Sequence, residues 1–256
     1  MPIEPYPGTQ SVLRAVALLK TFSDSQPELS LTDLVSALDL NKTTVYRLLT
    51  ALESEGMVAR DPGTDAYRLG PEIIALGGRA MRSNPLRIVS RPMLERLSKL
   101  TGETATLEVL AGKNVLILDE VAGQHLLGTA PSIGTHWPAH ATSTGKVLMA
   151  HLPEAQQQEG LEALLDPSTA RALATLRALK EELSLVQLQG YAVAVEELEA
   201  GYVAIAAPVQ RHDGQVVAAI SVGGPSSRLD ASRIPDVVEL VKASAAQISQ
   251  DLGFRP

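Results

Sequence analysis

Apolar side chains recur at helical spacing in two short, adjacent stretches. The first places Leu31, Leu34, Val35 and Leu38 on one stripe, and the second places Val45, Leu48, Leu49 and Leu52 on another. Each set repeats at the 3.6-residue period of an amphipathic helix. Ser30, with Asp33 three residues on, offers the first helix a start close to a capping box, and Asn41 caps the second just after the Asp39-Leu40 corner. Two short helices turned inward across one corner make the helix-turn-helix plan. An ordinary helix corner with a solvated polar face is the competing reading. Upstream, Thr9 to Phe22 reads as a helix whose stripe is Val12, Ala15, Val16 and Leu19, capped by Thr9 or Ser11, and Ser23 to Leu29 as a loop.

Downstream the period changes. Met57–Arg60 and Ala66–Leu69 flank the turn signal Pro62-Gly63 and predict a hairpin, which after a helix-turn-helix is a wing. Pro71 opens a helix to about Ser83, Asn84-Pro85 breaks it, and Pro85 to Leu100 is a further helix ended by Thr101-Gly102. Strand-like runs follow at Glu103–Leu110, Asn114–Val121 and Gln124–Ala130, then a loop with Gly134, Trp137 and Pro138. Helices are expected over Thr142–His151, Pro153–Leu165 and Ser168–Leu188. Strands are expected over Tyr191–Val195, Tyr202–Gln210 and Gln215–Val222, and a closing helix over Ala231–Leu252. Asp213-Gly214 joins the last two strands as a hairpin. The class is α+β, with an antiparallel sheet after an N-terminal winged helix.

The polar face of the second motif helix carries the candidate chemistry. Thr43, Arg47 and Thr50 lie opposite its stripe, flanked by Lys42, Thr44 and Tyr46. In a recognition helix such residues meet base edges in the major groove. Arg47 suits a bidentate contact to guanine, Lys42 and Asn41 suit phosphate, and Arg60 and Arg68 flank the wing where further phosphates would lie. Charge complicates this picture. The 256-residue chain has net charge −7, and residues 1–80 hold seven Lys/Arg against ten Asp/Glu, a net of −3. A weakly charged reader of DNA needs two copies on one site, so a dimer is expected. The chain has no cysteine, no apolar run of membrane-spanning length and no signal-like start, which fits a cytosolic protein.

Several single features point elsewhere and weigh less. Thr144-Gly145-Lys146 matches the end of a phosphate loop, but His140 and Val147 stand where its first glycine and last hydroxyl belong. His136 and His140 are four apart, with Pro138 between them and no evident third ligand. Ser143 and His140 lack a nucleophile elbow and an identifiable third member. Glu196, Glu197 and Glu199 read as a solvated loop, with Glu197 at a pocket rim. Trp137 is core or pocket wall. No enzyme activity, metal or cofactor is expected.

Taken together, Leu31–Arg60, Tyr67–Pro71, Pro138–Ala150, Gly190–Val209 and Ala218–Pro225 resemble the IclR family of bacterial transcriptional regulators over nearly the whole chain. The resemblance implies a winged-helix domain (1–70), a linker helix (71–84) and a GAF-like effector-binding domain (85–256). It implies dimerisation through the DNA-binding domains, often tetramers through the effector domains, and a regulator whose effector acts through the linker. By that resemblance Ser143, Thr144 and Gly145 form the helix start that holds an effector carboxylate. Ser221 is a polar pocket position, and Leu126, Thr129, Trp137 and Tyr202 are walls. Ala194, Ala204 and Gly223 stand where relatives of the glyoxylate type carry polar groups, and Trp137 and Tyr202 replace aliphatics. The expected effector is therefore an organic acid larger and less polar than a two-carbon acid, aromatic or branched. A small-molecule-binding or catalytic domain whose winged helix contacts only protein is the alternative.

Overall fold

The computed structural model describes residue 6 and residues 8–124, 133–157 and 176–255. The chain divides into two units, Met1–Ser83 and Asn84–Pro256.

The first unit holds α1 (Gln10–Leu19), β1 (Glu28–Leu29), α2 (Leu31–Leu38), α3 (Lys42–Ser54), β2 (Val58–Arg60), β3 (Tyr67–Leu69) and α4 (Pro71–Arg82). Leu34, Val45 and Leu49 from the two expected stripes meet Leu18, Leu29, Val58 and Tyr67 in one buried cluster. Ser30 and Asp33 complete a capping box on α2, Asp39 ends that helix in the left-handed conformation (φ 51°), and Asn41 caps α3. The caps are thus the local chemistry that sets the corner between the two helices.

Two expectations here are corrected. α1 faces the core through Leu18, outside the expected stripe; of that stripe Ala15 and Leu19 are half-buried, while Val12 and Val16 are exposed. Apolar residues occur all round this helix, so periodicity alone does not choose its inner face. The segment expected as a loop up to Leu29 ends in a short strand: Glu28 pairs with Arg68 and Leu29 with Tyr67, which makes the wing a three-stranded antiparallel sheet of order β1-β3-β2. A strand of two residues after Pro27 has no period to read.

The second unit is a six-stranded antiparallel sheet of order β6-β5-β4-β9-β8-β7. Its strands are β4 (Thr104–Ala111), β5 (Asn114–Val121), β6 (His136–Pro138), β7 (Ala192–Val195), β8 (Tyr202–Gln210) and β9 (Val216–Pro225). One face packs Leu107, Ile205 and Ile220 with Leu94 and Leu97 of α5 (Pro85–Thr101) and Val241 of α8 (Ile234–Asp251). The other packs Val115, Ala206 and Ala219 with Val147 of α6 (Ser143–Ala150) and Leu183 of α7 (Leu176–Gln189). With both faces covered, the inner strands are buried almost throughout.

His136–Pro138, expected as loop, is an edge strand against β5, with Val115 opposite Trp137. Its three residues and its proline suit an edge, where one side of the backbone needs no partner. The expected strand Gln124–Ala130 lies, apart from Gln124, outside the described residues. So does most of the expected helix Pro153–Leu165 and the first part of Ser168–Leu188.

A register shift between Leu107 and Glu108 pairs Leu107 with Asp119 and Glu108 with Ile117, leaving Leu118 as the extra residue of a bulge. Alternation along β5 is thereby reset. Asp119, buried, meets Arg87 Nη2 at 3.0 Å and Arg91 Nη1 at 3.1 Å on α5. Ile117 and Glu120 line the cavity on the other face.

Candidate functional site

On the α6 side of the sheet lies a cavity of about 620 Å³. Its wall is built by the pleat of β4. Thr104, Thr106 and Glu108 alternate with Ala105 and Leu107, so three polar side chains face the cavity while the apolar ones enter the opposite core. Antiparallel pairing then sets Thr106 beside Ser221 of β9, and Thr104 beside Gly223. The next pairings carry the row on to Ala204 of β8 and Ala194 of β7.

The polar groups of this wall are bonded to one another. Thr106 Oγ1 donates to Glu108 Oε1 at 2.7 Å and lies 2.8 Å from Ser221 Oγ. Thr144 Oγ1, on the second residue of α6, donates to Glu108 Oε2 at 2.6 Å. Burial pushes the Glu108 carboxyl above its usual range; the Thr144 and Thr106 hydroxyls pull it down, and the charge of Glu120 adds to the rise. Burial, then the Asp119 charge, raises Glu120 as well. Burial, with Glu108 the next cause, holds the Tyr202 phenol far above the ordinary tyrosine range.

Beneath the cavity the Lys146 side chain is wholly buried. Its Nζ lies 2.6 Å from Glu182 Oε1 on α7 and 2.6 Å from the Glu197 carboxylate, which lines the cavity from the loop after β7. Burial raises the Glu197 carboxyl, and Lys146 opposes that shift. His140 is also buried. Desolvation, then the neighbouring Lys146 charge, depresses its pKa. His136, four residues before it, is exposed on the edge strand.

Of the expected effector residues, Trp137, Ser143, Thr144, Ala194, Tyr202, Ala204 and Ser221 line this cavity. Trp137 also packs on the Val115 and Val147 cluster, so it is core and wall at once. Leu126 and Thr129 lie outside the described residues. Gly145 and Gly223 are not brought to the cavity surface. The Gly145 N–H is consumed by Thr142 Oγ1 at 3.0 Å, and a Cβ at residue 145 would collide with the Ala139 backbone. A Cβ at residue 223 would collide with the Tyr202 hydroxyl. The two departures noted separately in the sequence, Tyr202 and Gly223, are therefore one arrangement in space. Glu108, Glu120 and Thr104 were missed. Their signal was the polar alternation along Thr104, Thr106 and Glu108 in an otherwise apolar strand.

In the first unit, Lys42, Thr43, Tyr46, Arg47 and Thr50 are exposed along one face of α3, and Thr44 is half-buried. Asn41 Oδ1 accepts from the Thr44 N–H at 2.8 Å, so its carbonyl is already used in capping. Arg60 is engaged within the wing: its Nη2 lies 3.0 Å from Asp65 Oδ1 and its guanidinium is over the Tyr67 ring. Arg68 is exposed on the middle strand.

A recognition helix with a wing in one unit and a walled cavity in the other are matched by known proteins in the same order. Residues 11–62 match the IclR helix-turn-helix domain, and residues 78–250 match the bacterial transcriptional regulator IclR C-terminal domain. The chain belongs to the IclR family. It is 33% identical to the HTH-type transcriptional regulator XynR of Escherichia coli (strain K12), over 97% of this chain and 99% of that protein. It is 34% identical to the glycerol operon regulatory protein of Streptomyces griseus, over 95% and 96% of the two chains. Among solved structures, an IclR transcriptional regulator from Alicyclobacillus acidocaldarius is 29% identical and superposes with a TM-score of 0.84 over 95% of this chain and 98% of that one. An IclR homologue of Microbacterium hydrocarbonoxydans complexed with 4-hydroxybenzoate is 27% identical, with a TM-score of 0.79 over 95% and 99%. This IclR-family chain is thus an effector-responsive, DNA-binding transcriptional regulator, with an N-terminal helix-turn-helix domain and a C-terminal effector domain. Among the described residues no helix is long and apolar enough to cross a membrane.

Proposed function

We propose that α3 reads DNA through Thr43, Tyr46 and Arg47, with Thr44 at its margin, and that Asn41, Lys42 and Arg68 hold phosphates. The observation that carries this reading is the division of labour on α3. Val45 and Leu49 are fully buried, whereas the opposite side presents a guanidinium, an amine, a phenol and hydroxyls to solvent. Arg60 joins them only by exchanging Asp65 for a phosphate. The small organic effector occupies the cavity between the sheet and α6, against Trp137 and Tyr202. An aromatic or branched organic acid fits its volume and its aromatic wall, and a bound aromatic acid in the Microbacterium homologue supports that class.

The protein works in the cytoplasm as a homodimer, with tetramers through the effector domains, and it acts by binding rather than by turnover. Val12, Leu13 and Val16 of α1 and Ile74 and Leu76 of α4 are exposed apolar residues of the DNA-binding unit, which supports pairing there. The test is fluorescence anisotropy on the gene's own upstream DNA while organic acids are titrated. An acid that shifts the DNA affinity of the wild type, and loses that effect in Trp137→Ala, supports the reading. DNA affinity unmoved by any cavity ligand contradicts it.

A further inference from the structure

The Glu108 carboxyl stands where the resemblance seats an effector's carboxylate. It is 6% exposed, in the cavity wall, and bonded to Thr144 in the first turn of α6. That end of a helix carries positive partial charge and draws anions. Two further polar groups around the seat are already engaged. The Gly145 N–H goes to Thr142, and Ser221 is joined through Thr106 to Glu108 itself. Glu120, Glu197 and Glu199 line the same cavity, and among the described lining residues there is no Lys, Arg or His. Lys146, the nearest cation on α6, is fully buried and held by Glu182 and Glu197. A second carboxylate at the α6 start would have to displace the first from the Thr144 hydroxyl.

Resting on the reading of this cavity as the effector site, we propose that Glu108 is a built-in occupant of the anion seat. The group that an effector presents to the start of α6 is then a hydrogen-bond donor, a hydroxyl or an amine. An effector that is also an acid keeps its carboxylate at its other end. A donor-bearing ligand also offsets the cost of burying this carboxyl, which its two hydroxyl partners offset in part.

Glu108→Ala removes a fragment the size of acetate, so an added carboxylate can stand in for the lost one. Thermal melts of the full chain are compared in sodium acetate, acetamide and sodium chloride at matched ionic strength. Acetate should raise the melting temperature of E108A by on the order of 3 °C at saturation. Acetamide and chloride should not, and the wild type should be indifferent to all three. If E108A lacks a cooperative transition, its recovery in acetate is read instead. E108Q, which keeps the volume filled, should stay unresponsive. Two melting results overturn the proposal: a wild type that gains from acetate as much as E108A, or an E108A that gains no more from acetate than from chloride. Benzyl alcohol and benzylamine should bind the wild type more tightly than E108A, and equal affinity for the two proteins also overturns it. Acetate rescue of E108A, with no cavity ligand altering DNA binding, would instead sink the effector reading and leave the place of Glu108 standing.

Discussion

The Lys146 ammonium lies 2.6 Å from the Glu197 carboxylate, inside the protein, and so ties the helix beneath the cavity to the loop at its rim. Glu182 at the same distance ties in α7 as well. Three segments that meet the cavity or its floor thus share one buried charge. Taking that charge away leaves two carboxylates facing an apolar floor. Lys146→Met is expected to cost about 3–5 kcal/mol, the usual penalty for breaking a buried pair by removing one partner. Urea unfolding of the purified variant measures this; a loss below ~1 kcal/mol would show that the pair contributes little.

The Glu108 carboxyl sets a pH dependence of known sign. Its folded-state pKa is raised above the usual 4.5, chiefly by burial. The native state therefore holds this proton after the unfolded chain has released it. The associated stability is complete below 4.5 and is lost as pH rises from there to the raised native value. Glu108→Gln removes this slope. Between pH 5 and pH 8 the melting temperature of E108Q should rise relative to that of the wild type. A wild type that gains on the variant over the same range would show the sign to be wrong.

Tyr202 and Gly223 should behave as a coupled pair. Gly223→Ala drives a methyl into the Tyr202 phenol, whose Cζ would lie 2.8 Å away, and should cost roughly 1–3 kcal/mol as an overpacked site. Tyr202→Leu clears the space. In the double variant most of the Gly223→Ala penalty should vanish, as read by a double-mutant cycle in urea. Additive penalties would mean that the two positions do not meet.

On α3, two cations should separate by role. Lys42→Ala should weaken binding evenly across sequences and lower the salt slope by about one, as loss of one phosphate contact does. Arg47→Ala should cost about 1–3 kcal/mol and relax selectivity at one base pair. Equal, sequence-independent losses from both would place Arg47 on the backbone.

The helix-turn-helix was legible because its information is local. Stripe, cap and corner fall within Ser30–Leu52, and the wing announces itself by Pro62-Gly63. The inner face of α1 was not, because Val12, Val16 and Leu18 all suit a core and only the packed structure selects Leu18. The cavity was half legible. Family resemblance pointed to Ser143, Thr144 and Ser221, yet not to the carboxyl that links Thr144, through Thr106, to Ser221. Glu108 reads as an isolated acid in a strand until β4 is laid between β5 and β9. Lys146 reads as one cation in an apolar helix; its partners Glu182 and Glu197 lie 36 and 51 residues away. The resetting of Asp119 and Glu120 depends on a bulge that no period in the sequence marks.

The polar face of α3 is proposed above all to read a DNA sequence. Mobility shift of the purified protein on its own upstream intergenic DNA tests it most directly. Wild type and Arg47→Ala are compared at two salt concentrations against a scrambled fragment of equal length. Selective wild-type binding that weakens as salt rises, with selectivity lost in the variant, is the predicted result. Wild-type and variant proteins that bind the native and scrambled fragments alike, or an unchanged selectivity in Arg47→Ala, would contradict it.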